Sequence, residues 1–366
     1  MVRERGNPVL RVADRYAGVP LVAAAGALRR RRPLPAEIRR IGILNATAIG
    51  DTVLLSAVAR DVAAAFPDAE TILFSSRANL AFLETVDGLT VRPIRISSPR
   101  EAVRALRAAQ LDVVLDFDSW PRIEPVYCLL SGASFAAGFR TAGQHRHYGY
   151  DAWVEHSRDV HTIENFRRLA SVLGVESTSL PALRPPGRAE LPPSPYVVLH
   201  MWPTGVSSDL KEWPEERWRD LARRLAAAGN TVVLTGAPGD AEWTRAFVEA
   251  APDLRESVVD GAGRWDLGEL LDVLAGSRCV VSVNTGVMHM AAAVDVPTVA
   301  LNGPTSSARW GPLGARAVSV DSELPGCGYL YLGWEYDGER RDCMEGISVE
   351  RVLEAVQQLT REPLPA

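Results

Sequence analysis

A single lysine, Lys211, occurs in this 366-residue chain; the other residues in its total of 40 Lys and Arg are arginines. A compact ammonium retained amid such arginine bias marks a place where a planar guanidinium does not substitute, as in a tight phosphate site. Chance also puts a lone lysine somewhere, so its neighbourhood has to decide. A second candidate follows the β-branched run Val280-Val281-Ser282-Val283: Asn284-Thr285-Gly286 breaks it, and Val287-Met288-His289-Met290-Ala291-Ala292-Ala293 reads as a helix. A helix starting at such a turn offers free N–H groups and a positive dipole end to an anion. The plainer reading is a helix capped by Asn284 with nothing bound. A third candidate is Asp51, in the turn Asn45 to Asp51 after the apolar strand Ile41 to Leu44. It is either a carboxylate completing the cap of the helix Thr52 to Ala65 or a general base at the edge of a sheet.

These residues need elements to hold them, and the chain supplies two α/β series. In the first, Glu70 to Phe74 completes a βαβ unit with Ile41 to Leu44; no GxGxxG fingerprint is present. Arg100 to Gln110 reads as a helix, Asp112 to Phe117 as a strand ending at Asp118-Ser119, and Pro121 to Leu130 as a helix with Arg122 near its start. Proline-rich residues 181–195 form the best domain linker. The second series opens with the strand Tyr196 to His200 and a long polar loop, Met201 to Leu210, before Lys211-Glu212-Trp213-Pro214. A helix Glu215 to Ala228 follows, with Pro214 suited to its first turn. Thr231 to Leu234 is a strand running into Thr235-Gly236-Ala237-Pro238-Gly239-Asp240. Val296 to Leu301 is another, ending in Asn302-Gly303-Pro304-Thr305, and a tail helix covers Ser348 to Leu359. Two doubly wound domains result, with their polar loops at the carboxyl ends of strands where such sheets bind ligands. Lys211, Asp240, Asn284-Thr285-Gly286, His289 and Thr305 line that edge in the second. Lysine, hydroxyls and a helix N-terminus suit a diphosphate, and Asp240 suits a ribose hydroxyl.

Composition narrows the classes. A net charge of −5 gives no global field for nucleic acid. Cys128, Cys279, Cys327 and Cys343 contain no CxxC pair, against a zinc module or a disulfide scaffold; Cys327 and Cys343 flank a loop and would stay thiols in a reducing cytosol. Residues 1–40 carry ten arginines against three acids, with an apolar segment from Ala17 to Leu28 that is too short to span a bilayer. It reads either as a helix packed on the body or as one lying on an anionic membrane face. Trp202, Trp213 and Trp310 lie near the loops, as packing residues or as platforms for a base.

Taken in order, Ile49-Gly50-Asp51, Lys211-x-Trp213-Pro214, Thr235-Gly236-Ala237-Pro238, Asn284-Thr285-Gly286-Val287-Met288-His289 and Gly303-Pro304-Thr305 resemble the marks of bacterial lipopolysaccharide-core heptosyltransferases, glycosyltransferase family 9. The resemblance covers Ile38 to the end. It implies a GT-B architecture: α/β, with two Rossmann-like doubly wound domains facing a central cleft. The expected layout is a basic and apolar segment over 1–37, an acceptor domain over 38–185, a donor domain over 186–345 and a C-terminal helix over 346–366. The implied reaction is inverting transfer of a heptose from an ADP-sugar, with no cofactor and no metal. Asp51 matches the family's base and Lys211 a residue stabilising the leaving diphosphate. Thr204, Asp240, Asn284, Thr285, Gly286, Met288, His289 and Thr305 fall on the donor side, and Gly50 and Arg122 on the acceptor side. Two departures stand out. The family usually has Asp where this chain has Asn284, and the loop before Lys211 is long. The arginine bias suggests a GC-rich genome, leaving the acceptor open between the lipopolysaccharide core, another envelope glycan and a small natural product. A GT-B nucleotide-sugar epimerase and a binding protein without activity are the competing readings. The expected location is cytoplasmic, reaching the membrane face if residues 1–40 lie on it rather than pack on the body.

Overall fold

The computed structural model describes residues 8–27, 30–46, 48–205, 207–331 and 341–360. Residues 1–7, Leu28 and Arg29 of the basic segment, and Thr47 in the turn before Asp51, therefore lie outside the described residues. The chain divides at Leu180/Pro181 into two compact units.

In the first unit α1 (Pro8–Ala27) precedes β1 (Arg40–Leu44), α2 (Ile49–Ala65), β2 (Glu70–Ser75), α3 (Arg77–Leu83), β3 (Thr90–Pro93) and α4 (Pro99–Ala108). Then come β4 (Val113–Asp116), α5 (Glu124–Leu130), β5 (Phe135–Arg140), β6 (Ala152–Glu155) and α6 (Thr162–Ala170). The strands form one sheet in the order β3-β2-β1-β4-β5-β6, parallel throughout. Short apolar strands covered on both faces are what such a sheet requires, and Ile41, Ile43, Val113 and Leu115 are fully buried.

The second unit repeats the plan. It runs β7 (Tyr196–His200), α7 (Glu215–Ala227), β8 (Thr231–Gly236), α8 (Ala241–Glu249), β9 (Val258–Ala262), α9 (Leu267–Ala275) and β10 (Val280–Val283). It ends with α10 (Gly286–Ala293), β11 (Thr298–Asn302), α11 (Ser307–Trp310), β12 (Ala317–Asp321) and α12 (Val349–Thr360). The sheet order β12-β11-β10-β7-β8-β9 is the first unit's order with the strands renumbered. In each sheet the winding reverses between two central neighbours, β1 and β4 or β7 and β10, and that reversal opens the crevice where doubly wound folds take ligands. The tail helix α12 packs Val352, Leu353 and Val356 into the second core, beside Trp213 and Trp218.

Three local expectations are corrected, while the proline-rich stretch begins where the two units divide. Helix α2 starts at Ile49, three residues earlier than the apolar periodicity suggests, so Asp51 lies inside its first turn rather than in the preceding loop. Helix α5 begins at Glu124, leaving Arg122 in the loop before it. The proline-rich stretch is tied down: the Asp272 carboxylate accepts the N–H groups of Gly187, Arg188 and Ala189 at 2.6, 2.7 and 2.9 Å. Cys327 and Cys343 form a disulfide across 16 positions, with Cα atoms 5.7 Å apart, rather than remaining thiols. The backbone brings them together: Gly328 N–H donates to the Gly303 carbonyl and Leu330 N–H to that of Pro304. The segment just after Cys327 is thereby laid against the turn after β11.

Helix α1 packs on the first unit through a narrow seam. A Cβ at Gly18 would stand 2.8 Å from Arg122 Cβ, and one at Gly26 2.3 Å from the Tyr148 carbonyl oxygen. Val22 between them is fully buried. Asp14 accepts from the Arg122 backbone N–H at 2.7 Å and pairs with its Nη1 at 2.9 Å. At the far end Arg31 stacks on Trp153 at 4.4 Å, and Arg32 Nη2 donates to the Ala133 carbonyl at 2.8 Å. No described helix is long and apolar enough to cross a membrane.

Candidate functional site

In the first unit, the turns after β1 and β4 meet at the winding reversal, and hydrogen bonds lock one to the other. Asp118, buried after β4, accepts the Ala46 N–H at 2.7 Å and an Asn45 Nδ2 hydrogen at 3.2 Å. Asn45 Oδ1 takes the Thr52 hydroxyl at 2.6 Å, and Thr52 Oγ1 in turn accepts from Asn79 Nδ2 at 2.9 Å. Every one of these side chains is almost wholly inaccessible. The chain of bonds fixes both ends of the segment that carries Gly50 and Asp51. Asp51 itself is half-buried at the third position of α2, where a carboxylate complements the helix dipole. Arg122 is buried and already engaged, by Asp14 and by the Gln144 carbonyl at 3.2 Å from its Nε.

Beneath that turn lies a charged cluster that the sequence does not announce. Arg146, fully buried, pairs with Asp116 at 2.7 Å and with Glu124 at 3.4 Å, and the Tyr150 hydroxyl donates to Asp116 at 2.5 Å. Asp116, Asp118 and Glu124 have carboxylate oxygens within 4.8 Å of one another. One guanidinium cannot balance three carboxylates, so the group holds protons. Burial pushes Asp116 up to about 6 against the pull of Arg146. Burial, reinforced by Asp118 and Asp116, raises Glu124 well above the usual carboxyl range.

In the second unit, Lys211 ends a 3-10 turn (Ser208–Lys211) in the long loop after β7. It is only 4% exposed, and its Nζ donates to the carbonyl of Thr204 at 3.1 Å. Burial lowers its ammonium to about 8. A charge kept inside a protein at that cost suits a ligand of opposite sign. Thr204 is itself exposed. Across the reversal, Thr285 rather than Asn284 occupies the N-cap of α10, and no side chain caps it. The expectation of an Asn284 cap is corrected. Its amide instead reaches sideways, donating to Asn302 Oδ1 at 2.7 Å and to the Trp310 carbonyl at 3.0 Å. The first N–H groups of α10, at Gly286 and beyond, keep their anion-binding capacity. Met288 and His289 are buried in that helix. Asp240 accepts the Ala237 N–H at 2.8 Å, closing the turn after β8. Thr305 is buried with a hydroxyl that has no hydrogen-bond partner among the described residues. Trp202 and Trp213 lie in the core, their indole N–H groups bonded to Thr244 and the Ile347 carbonyl, so they pack rather than stack on a base.

Two parallel doubly wound sheets, with a buried lysine and an uncapped helix N-terminus at one reversal and a carboxylate in a bonded turn at the other, define a two-unit Rossmann-like protein with anion-binding groups at the edge of its second sheet. The chain belongs to glycosyltransferase family 9 (heptosyltransferase), whose sequence profile matches residues 100–327. It is similar to lipopolysaccharide heptosyltransferase 1 of Pseudomonas aeruginosa, 40% identical over 134 residues, which span 37% of this chain and 36% of that protein. Curated relatives are thus matched over well under two thirds of their length. The fold is that of E. coli ADP-heptose lps heptosyltransferase II, with a TM-score of 0.73, 22% identity, and coverage of 88% of this chain and 98% of that one. An E. coli heptosyltransferase with ADP-2-deoxy-2-fluoro heptose gives a TM-score of 0.67 at 21% identity, covering 87% of this chain and 99% of its own.

Proposed function

We propose that this chain transfers a heptosyl group from ADP-heptose to an acceptor hydroxyl on a lipopolysaccharide-core glycan. Asp51 removes the acceptor proton as that oxygen attacks the anomeric carbon from the face opposite the diphosphate. The new C–O bond forms as the bond to the diphosphate breaks, and the configuration inverts. Lys211 and the N–H groups opening α10 take up the charge of the departing ADP, the role a divalent ion has in other transferases. Thr204, Asp240, Thr285 and His289 complete the donor side, with Gly50 and Arg122 on the acceptor side. The observation that carries this reading is a buried lysine in the loop after β7 and an uncapped helix N-terminus after β10, the two strands that flank the second winding reversal. The names of the relatives supply the sugar and the acceptor class. An epimerase of similar fold is the weaker reading, because the family profile runs through both units.

The test is calorimetric titration with ADP, GDP, UDP and dTDP in EDTA. ADP-selective binding supports the proposal. Preference for another base would remove ADP-heptose, and loss of binding in EDTA would remove metal independence.

The same proposal includes peripheral contact with the cytoplasmic membrane face. Support comes from the side of α1 away from the body, where Tyr16 is 72% and Leu21 43% exposed, with Arg30 following in the open. Co-sedimentation with phosphatidylglycerol vesicles tests it; a Tyr16→Ser, Leu21→Ser pair that sediments like wild type would refute it.

A further inference from the structure

The two asparagines at the ends of β10 and β11 have orientations that can be deduced. Strand register pairs Val283 with Leu301, so Asn284 and Asn302 face each other one step on. A main-chain carbonyl only accepts, so the atom that Asn284 turns toward Trp310 O must be its Nδ2. The same nitrogen meets Asn302 at 2.7 Å, and the Asn302 atom there must be oxygen. Asn302 Nδ2 is therefore left over, with two donor hydrogens. It is buried, 1% exposed as a residue, and has no hydrogen-bond partner among the described residues. Three residues further, Thr305 Oγ1 is in the same condition at 2% exposure. Buried donors without partners are rare in folded proteins, and a pair in one turn calls for a missing acceptor.

We propose that Asn302 and Thr305 bind a diphosphate oxygen of the nucleotide donor, and that Asn284 sets the polarity of this contact. The inference rests on the function proposed above and adds a specificity-determining residue to it. Asparagine at 284 makes position 302 a donor. A carboxylate there would repel the Trp310 carbonyl and turn the Asn302 amide around, taking its Nδ2 and presenting its oxygen to the ligand.

The experiment compares wild type, Asn302→Ala and Asn302→Asp by calorimetry with ADP, with adenosine as a control lacking phosphate. Asn302→Asp keeps an oxygen for Asn284 and so preserves the pair if the alanine variant fails to fold. ADP affinity should fall about tenfold or more in both variants, further in the aspartate one, with adenosine affinity unchanged. Equal ADP affinity in wild type and Asn302→Asp overturns this inference while leaving the proposed function standing. A parallel loss for adenosine also overturns it, by making the effect one of fold. A wild type that binds no nucleotide overturns both.

Discussion

Asp118 holds the backbone of Ala46: its Oδ2 accepts that N–H at 2.7 Å, joining the turn after β4 to the turn that leads into α2. The bond acts on Asp51 at a distance, through the segment between. Replacing Asp118 by Asn turns one acceptor into a donor that faces the Asn45 amide. Turnover should drop about tenfold or more with ADP affinity unchanged, because only the position of the base is disturbed. An unaltered kcat would remove Asp118 from the positioning of this turn.

Asp51→Asn keeps the shape of the side chain and removes its basicity. Turnover should fall by a factor on the order of 10² or more, with ADP binding intact. If ADP binding disappears with turnover, Asp51 is structural and the base lies elsewhere.

Lys211 should cost the unliganded protein stability. Its ammonium is held at about 8 against an ordinary 10.5, so charging it in the folded state at pH 7 opposes folding by on the order of 3 kcal/mol. The unfolded chain binds the extra proton between those values, so stability declines as pH falls from 10.5 toward 8 and stays low below. Lys211→Met should therefore raise the melting temperature of the free protein at pH 7 and abolish the further rise that ADP gives wild type. A lower melting temperature in both conditions would show that the lysine is structural.

Glu124 and Asp116 titrate in the opposite sense. Their folded pKa values are raised, to about 6 for Asp116, so the stability they lend is complete at low pH and is lost as pH rises through the folded values. Glu124→Gln is neutral without needing a proton. Urea unfolding of that variant should show a flatter stability profile above the ordinary carboxyl range than wild type. Parallel profiles would mean that Glu124 stays ionised.

Reduction of the Cys327–Cys343 disulfide reopens a loop of 16 positions. The chain-entropy cost is about 3 kcal/mol, so the melting temperature should fall in dithiothreitol and fall equally in Cys327→Ser without it. A melting temperature insensitive to reductant would mean that the bond does not form in solution.

Much of this was legible in the chain. Apolar runs such as Ile41 to Leu44 and Val280 to Val283, short and β-branched, read as strands buried on both faces, and polar turns at their ends locate the two ligand edges. The buried Lys211 was marked by its solitude. What stayed hidden depends on neighbours that only the sheet creates. Asn284 and Asn302 are 18 positions apart and meet because two strands align in register; read locally, Asn284 looks like a cap. Asp118, 73 positions from Asn45, looks like an ordinary turn residue until β1 and β4 lie side by side. Arg146 sits in a stretch dense with histidine and arginine that gives no hint of a buried ion cluster. The disulfide departs from the expectation because the fold brings Cys327 and Cys343 together, which their spacing of 16 positions does not reveal.

The seam of α1 has a consequence for how this segment can vary among natural sequences. Gly18 and Gly26 touch the body too closely for even a methyl group, while Tyr16, Ala17, Pro20, Leu21 and Ala24 on the other side are open. One helix therefore answers to two unrelated selective pressures, separated by half a turn. Its inner face should stay frozen for as long as the body keeps its shape. Its outer face is free to drift with whatever surrounds the protein, and two homologues in different cells would share the glycines and little else.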